Sequence, residues 1–137
     1  MITVRQVRKR QEIEQIKQAL QPLNIDYATP QHAETDFTNK NNKIYALVDN
    51  NNIVAVCSIV PDTKYNYLAL KRLVVLNPTQ KGKGYAKRLV STVVKRQNSA
   101  CGCTPWADNT PMINLLKTIG FKYQYTFCGF WTFWKSV

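Results

Sequence analysis

Apolar residues alternate with polar ones, or form short continuous runs, along four stretches of the chain. Both patterns are typical of β-strands. Two of the stretches flank Asn50-Asn51-Asn52, and asparagine tolerates the positive φ of a tight turn, so they predict a hairpin whose second strand ends before Pro61. The predicted strands are residues Ile2–Val7, Lys43–Asp49, Ile53–Val60 and about Tyr65–Leu76.

Helical spacing of apolar residues marks three further stretches. The clearest runs from Gly84 to Gln97 and presents four cations on its polar face, Lys87, Arg88, Lys95 and Arg96. A second helix is predicted from Lys9 to Leu20. A third should have Thr110 as its N-cap, Pro111 as its first residue and Gly120 as its end. Pro30 predicts a short additional helix through Phe37.

The remaining segments complete a mixed fold. Residues 100–107 are a short predicted segment, and the aromatic-rich chain after Phe121 predicts two closing strands with Gly129 near their turn. The order β α (α) β β β α β α β β predicts an α/β (α+β) fold. We expect one domain over residues 1–137, with a mixed central sheet of about six or seven strands flanked by helices.

The composition is that of a globular protein, with 45% apolar and 20% charged residues. No apolar run approaches the roughly 20 residues that span a bilayer, and no signal-peptide pattern is present, so a cytoplasmic location without membrane contact is predicted. The four cysteines, Cys57, Cys101, Cys103 and Cys128, lack a metal-ligand spacing. They are interpreted as reduced structural thiols, and no metal is expected.

The net charge of +11 favours polyanionic partners, which include nucleic acid, a phosphorylated cofactor and an acidic protein face. Charge of this kind is also found on many small soluble proteins. It therefore does not choose between these partners.

Three kinds of phosphate-binding loop compete for residues 81–86. A Walker A loop requires Lys-Ser/Thr after its last glycine, but Tyr85 follows Gly84. A dinucleotide fingerprint requires a third glycine where Lys87 stands, and an acidic residue about twenty positions later. Residues 63–107 contain no carboxylate. The third pattern, Arg/Gln-x-x-Gly-x-Gly/Ala between a strand and a long helix, is matched by Lys81-Gly82-Lys83-Gly84-Tyr85-Ala86, with lysine in place of the usual first residue.

A second motif follows at a spacing of about 25 residues, with an asparagine that opens a helix ending in Gly-Phe, from Asn109 to Phe121. With these two motifs in this order, the chain resembles the GCN5-related N-acetyltransferase (GNAT) superfamily from about Tyr65 to Phe121. The physics of the loop agrees, because small residues let the backbone approach a diphosphate and free helix-start amides donate to it.

The resemblance implies that acetyl-CoA is the cofactor and that an amine attacks the thioester directly in a ternary complex. A strand amide would polarise the thioester carbonyl. Asn109 matches a family position that contacts the cofactor arm, but a role as a cap or turn residue is equally compatible with its place. The implied cofactor-binding residues are Val74, Val75, Leu76, Lys81, Gly82, Lys83, Gly84, Tyr85, Ala86 and Asn109.

The catalytic groups are harder to assign. Many relatives protonate the departing thiolate with a tyrosine, and Leu116 occupies that position here. Candidates for the acid are Tyr85, Tyr123, Tyr125 and water. Candidates for the base are Asp108, then Glu34, Asp36 and His32, and a neutral acceptor amine would need none.

We therefore predict an acetyl-CoA-dependent N-acetyltransferase acting on an unidentified amine, as a monomer or homodimer. The alternative is a non-catalytic or weakly catalytic protein of the same fold that binds nucleic acid, or an acyltransferase that modifies nucleic acid.

Overall fold

The computed structural model describes residues 1–20, 41–62, 67–76, 82–105, 107–127 and 129–135. In chain order the elements are β1 Ile2–Val7, α1 Arg10–Leu20, β2 Lys43–Asp49, β3 Asn52–Asp62, β4 Tyr67–Val75, α2 Tyr85–Arg96, β5 Cys101–Cys103, α3 Thr110–Ile119, β6 Lys122–Phe127 and β7 Phe130–Lys135. The predicted helix between Pro30 and Phe37 lies outside the described residues.

Seven strands form a single mixed sheet in the order β1-β2-β3-β4-β5-β7-β6. All neighbours are antiparallel except β4 and β5, which run parallel. Since α2 connects these two parallel strands, they form the β-α-β unit of the fold. The α/β (α+β) class, with its sheet of about six or seven strands, is confirmed.

Helices cover both faces of the sheet. The larger core lies between the sheet and the helices α2 and α3, with Leu89, Val90, Val93 and Leu116 almost fully buried. A smaller core on the opposite face places Ile16 of α1 against Val7, Ile44, Ala46, Val48 and Val56. The apolar face predicted for α2 is thus one of the surfaces that the sheet buries.

The β2–β3 hairpin agrees with its sequence, because Asn50 and Asn51 have φ values of 50° and 68°. The predicted end before Pro61 was wrong, since β3 continues through Pro61 to Asp62. Pairing explains the difference. β2 begins at Lys43 opposite Ile59, so Pro61 lies beyond that pairing and its missing N–H costs β3 no bond to β2.

The start of α3 also differs from the prediction. Its N-cap is Asn109, whose side-chain Oδ1 accepts a 3.3 Å hydrogen bond from the N–H of Met112, and Thr110 is already helical. Asparagine is at least as good an N-cap as threonine, which is why the helix begins one residue earlier. Gly120 ends α3 with a φ of 110°, as predicted.

Candidate functional site

The parallel strands β4 and β5 touch over a very short length. Their paired residues are Leu68 with Cys101 and Ala69 with Gly102, at the beginning of both strands. β4 continues to Val75, and β3 pairs with it over that whole distance. Among the described strands, none pairs with the other edge of β4 after these first residues. The sheet therefore opens into a cleft along the second half of β4.

A β-bulge lies where the cleft begins. Val56 of β3 pairs with Val74 and Ser58 pairs with Lys71, so two residues of β4 face the single residue Cys57. One of the two, Arg72, has a φ of 55°, in the left-handed region that residues with side chains seldom adopt. Bulges bend a strand and redirect its backbone groups, and this one bends β4 at the mouth of the cleft.

Backbone groups of β4 point into the cleft beyond the bulge. The N–H of Leu76 donates a 2.9 Å hydrogen bond to the carbonyl of Val54 in β3. Because successive backbone groups along a strand face opposite edges, the N–H and C=O of Val75 point away from β3, toward the open edge. The side chains of Val74 and Leu76 pack against the smaller core, and Val75 packs against the larger one.

The glycines of the predicted loop have the conformation that a backbone cradle requires. Gly82 and Gly84 have φ values of 88° and 77°, which glycine adopts at no steric cost. A Cβ built on either residue would have no protein atom within 4 Å. The described residues therefore leave open the sides of the loop where a Cβ of residue 82 or residue 84 would stand.

Helix α2 begins at this loop with free donors. Gly84 is its N-cap, no side chain caps the helix, and its first turn contains no acidic residue. The N–H of Arg88 donates to the carbonyl of Gly84 at 3.1 Å, so the N–H groups that precede it have no acceptor within the helix. The positive end of the helix dipole and the exposed Lys83 lie beside these N–H groups, and free amides at a helix start are favourable groups for binding an anion. Lys81 lies outside the described residues.

Tyr85, the first residue of α2, is anchored away from the loop. Its ring packs in the larger core, and its hydroxyl donates a 2.8 Å hydrogen bond to Oδ2 of Asp49 at the end of β2. This bond to the carboxylate, with burial of the hydroxyl, raises the pKa of Tyr85. Sequence reasoning missed Asp49, because only its position at the end of a strand marked it.

These features agree with what the chain is similar to. Residues 6–121 match the family model for the acetyltransferase (GNAT) family. The chain belongs to this family. It is accordingly an acyltransferase that uses acetyl-CoA. Among curated proteins, none matches the sequence significantly.

Solved structures of other GNAT proteins share the fold at low sequence identity. The ribosomal-protein-S18-alanine N-acetyltransferase from Escherichia coli has a TM-score of 0.81 and 12% identity, covering 100% of this chain and 94% of that one. Arabidopsis thaliana NAA60 in complex with acetyl-CoA has a TM-score of 0.77 and 16% identity, covering 100% and 99%. A mutant of the spermidine N-acetyltransferase SpeG from Vibrio cholerae has a TM-score of 0.75 and 12% identity, covering 98% and 93%.

Leu116, which the sequence motif predicts at the tyrosine position of many relatives, is a core residue. Leu116 is fully buried between α3 and the sheet. The other tyrosines proposed as acids lie on β6, which is the outermost strand of the sheet. The Tyr123 hydroxyl is 2.6 Å from Oγ1 of Thr126, and Tyr125 is 59% exposed. The structure therefore does not bring these two hydroxyls together with the mouth of the cleft, from which β5 and β7 separate them.

Of the candidate general bases, the structure describes only Asp108. Asp108 is exposed just before α3, and its backbone carbonyl accepts a 2.9 Å hydrogen bond from the N–H of Thr110. His32, Glu34 and Asp36 lie outside the described residues. Asn109 is committed to capping through Oδ1, and that bond leaves its side-chain NH₂ group for other partners.

Three cysteines of this GNAT protein are buried free thiols. Burial raises the pKa of Cys57 and Cys101, and it raises the pKa of Cys103 to about 12. Cys128 lies outside the described residues. Within the described part of the chain, no group of three or more metal-ligating side chains is found, and no helix is long and apolar enough to cross a membrane.

Proposed function

We propose that the protein transfers the acetyl group of acetyl-CoA to an amine by direct attack within a ternary complex. The observation that carries this proposal is the open edge of β4, which leads along one strand from the bulge at Arg72 toward the glycine loop at the start of α2. A phosphate cradle and a strand edge in this order suit a long ligand with a diphosphate at one end.

The loop is proposed to hold the diphosphate. The free amides at the start of α2 would donate to its oxygens, and Lys83 would add positive charge. Gly82 and Gly84 would keep the approach clear, and Ala86 is the third small residue of the motif. Lys81, as the first residue of the motif, belongs to the same proposed site, and Tyr85 would keep the helix start in place through Asp49.

The strand edge is proposed to hold the pantetheine arm. The N–H and C=O of Val75 are the groups that face the cleft, whereas the N–H of Leu76 is already bonded to Val54. Val74 and Leu76 would then contribute packing, and Asn109 would cap α3 and use its remaining amide donors on the arm. A backbone N–H near the bulge would stabilise negative charge on the thioester oxygen.

Bound acetyl-CoA would supply an activated acyl group. In the proposed reaction the acceptor nitrogen bonds to the acetyl carbon, the C–S bond breaks, and the nitrogen loses a proton to water. The buried Leu116 offers no proton, so the thiolate would leave unaided. This is chemically acceptable because a thiol has a pKa near 8.5.

One domain over residues 1–137 is part of the proposal, since a single sheet extends from Ile2 in β1 to Lys135 in β7. Whether the protein is a monomer or a homodimer stays a prediction. The similar structures include enzymes that act on a ribosomal protein and on spermidine, so protein and polyamine amines are the first acceptors to test.

The proposal is tested by two measurements. Isothermal titration calorimetry should detect acetyl-CoA binding, and thiol release should require an added amine from a panel of peptides, polyamines and RNA. Absence of acetyl-CoA binding would contradict the proposal. A burst of thiol release without any amine would contradict direct transfer, because it would indicate an acyl-enzyme.

A further inference from the structure

Helix α2 carries an exposed row of cations along its solvent face. Lys87, Arg88, Lys95 and Arg96 are all exposed, and the pairs are eight residues apart, with Ser91 and Thr92 between them. At a rise of about 1.5 Å per residue, the two pairs are roughly 12 Å apart along the helix axis. At about 3.6 residues per turn, Arg88 and Lys95 lie on nearly the same line along the helix, and Lys87 and Arg96 flank that line on opposite sides.

A fifth cation extends this row across the sheet. The hydroxyl of Tyr45 in β2 accepts a 3.0 Å hydrogen bond from Gln97, the C-cap of α2. Lys43 is exposed and lies two positions before Tyr45, so its side chain is on the same face of the sheet, near the end of α2. We call Lys43, Lys87, Arg88, Lys95 and Arg96 the α2 cation surface.

No carboxylate neutralises this surface within the described residues. The sequence has no Asp or Glu from residue 63 to residue 107, and no ion pair joins any of the five side chains to an acid. Asp49 accepts from Tyr85 at the start of α2, and Asp108 lies just before α3 in the chain. The guanidinium of Arg96 bonds only a neutral group, the carbonyl of Val4, at 2.9 Å.

The cofactor does not account for the whole surface. A diphosphate at the start of α2 would lie close to Lys83 and Lys87, whereas Lys95 is about 12 Å further along the helix and Lys43 is beyond its end. Because no described acid pairs with the cations collected there, they favour a second anionic partner.

The kind of partner follows from what the surface lacks. No large apolar side chain is exposed on α2, since the exposed large hydrophobics of the described chain are Met1, Tyr123 and Tyr125. Protein interfaces usually have a more apolar centre, and binding of single-stranded nucleic acid usually involves aromatic stacking. A duplex phosphate backbone needs only cations and hydroxyls. The spacing of the cation pairs is also close to the roughly 12 Å width of the B-DNA major groove.

We propose that the α2 cation surface binds the phosphate backbone of duplex DNA without reading its sequence. This binding is separate from acetyl transfer, and it uses the outer face of α2, while the cofactor uses the start of the same helix.

The test compares two variants of equal net charge by fluorescence anisotropy with a labelled 20-base-pair DNA of arbitrary sequence. The first is Lys43→Gln with Lys95→Gln, on the α2 cation surface. The matched control is Lys9→Gln with Lys122→Gln, both exposed, at the start of α1 and on β6. Glutamine is a good helix former at position 95, and melting temperatures verify that both variants are folded.

We expect the first variant to bind DNA at least tenfold more weakly at about 0.15 M salt, and its log–log salt slope to fall by about 1.8, because two phosphate contacts are lost. The control should resemble the unmodified protein. Equal losses in both variants, no DNA binding by the unmodified protein, or competition by polyglutamate as strong as by unlabelled DNA would each overturn the proposal.

Calorimetry with acetyl-CoA separates this inference from the proposed function. The Lys43→Gln/Lys95→Gln variant should bind acetyl-CoA as the unmodified protein does. A protein that binds DNA but not acetyl-CoA would retain this inference and lose the proposed function. A parallel loss of both ligands in the first variant would overturn the assignment of this surface to DNA.

Discussion

The Tyr85 hydroxyl donates a 2.8 Å hydrogen bond to Asp49, and this bond ties the first residue of α2 to the end of β2. The two residues are 36 positions apart in sequence. The bond fixes the helix start whose free amides form the proposed phosphate site.

Replacing Tyr85 by Phe should lower the free energy of unfolding, since one hydrogen bond to a charged partner is lost. The Michaelis constant for acetyl-CoA should rise while kcat changes little, because the hydroxyl positions the loop and does not donate to the thiolate. Urea unfolding and steady-state kinetics measure both. Asp49→Asn keeps an acceptor and should have a smaller effect. A fall in kcat of a hundredfold or more in Tyr85→Phe would instead identify Tyr85 as the acid.

The same bond has a defined pH dependence. The pKa of Tyr85 is raised by its bond to Asp49, so the folded value exceeds the unfolded value near 10. The stability that the protonated hydroxyl contributes is present below about pH 10 and is lost as the pH rises through the folded pKa. The stability difference between the unmodified protein and Tyr85→Phe should therefore stay constant from pH 6 to pH 9.

Gly82→Ala should weaken acetyl-CoA binding at least tenfold. A Cβ there would meet no protein atom, but it would occupy the space proposed for the diphosphate, and the φ of 88° would cost about 1–2 kcal/mol. Gly129→Ala is the matched control, since its φ is 83° and it lies in the β6–β7 turn. Both variants should lose similar stability in urea, but only the first should lose affinity in calorimetry. Equal affinities would contradict the proposed loop.

Asn109→Ala should destabilise the protein by about 1 kcal/mol through loss of the N-cap, and Asn109→Ser should restore most of that. Serine cannot replace the amide donors of asparagine. Acetyl-CoA affinity should therefore be reduced in both variants if the side chain also binds the cofactor arm. An Asn109→Ser variant with normal stability and normal affinity for acetyl-CoA would show that Asn109 acts only as the N-cap of α3.

Because position 116 is a leucine and cannot donate a proton, we expect a simple pH dependence of kcat. With the thiolate leaving unaided, kcat should rise with pH as the acceptor amine is deprotonated, and it should not decline between pH 8 and pH 10. Tyr123→Phe and Tyr125→Phe should leave that profile unchanged. A declining limb that disappears in either variant would identify that tyrosine as the missing acid. Thiol release at saturating acetyl-CoA is the appropriate measurement.

Local patterns in the sequence identified most of the fold, because hairpin asparagines, helix periodicity and glycine terminators act over a few residues. The end of β3 at Asp62 depended on where β2 begins, which is a tertiary property. The left-handed Arg72 had no signal, since arginine does not favour that conformation. The glycine loop was recognisable by its spacing. The partner of Tyr85 was not, since a contact between residues 36 positions apart leaves no local pattern.

The cleft beside β4 also leaves the middle of the sheet weakly paired. Two pairs of residues, Leu68 with Cys101 and Ala69 with Gly102, are the only strand pairs of the described chain that join four strands on one side to three on the other. If acetyl-CoA lies along the open edge as proposed, it would act as an additional strand and hold the two parts together. At a hundredfold excess over its dissociation constant it would add about 2.7 kcal/mol to the folded state. The lifetime of the protein in a cell would then depend on the supply of coenzyme A and its thioesters, and depletion of that pool would leave the protein more open to proteolysis.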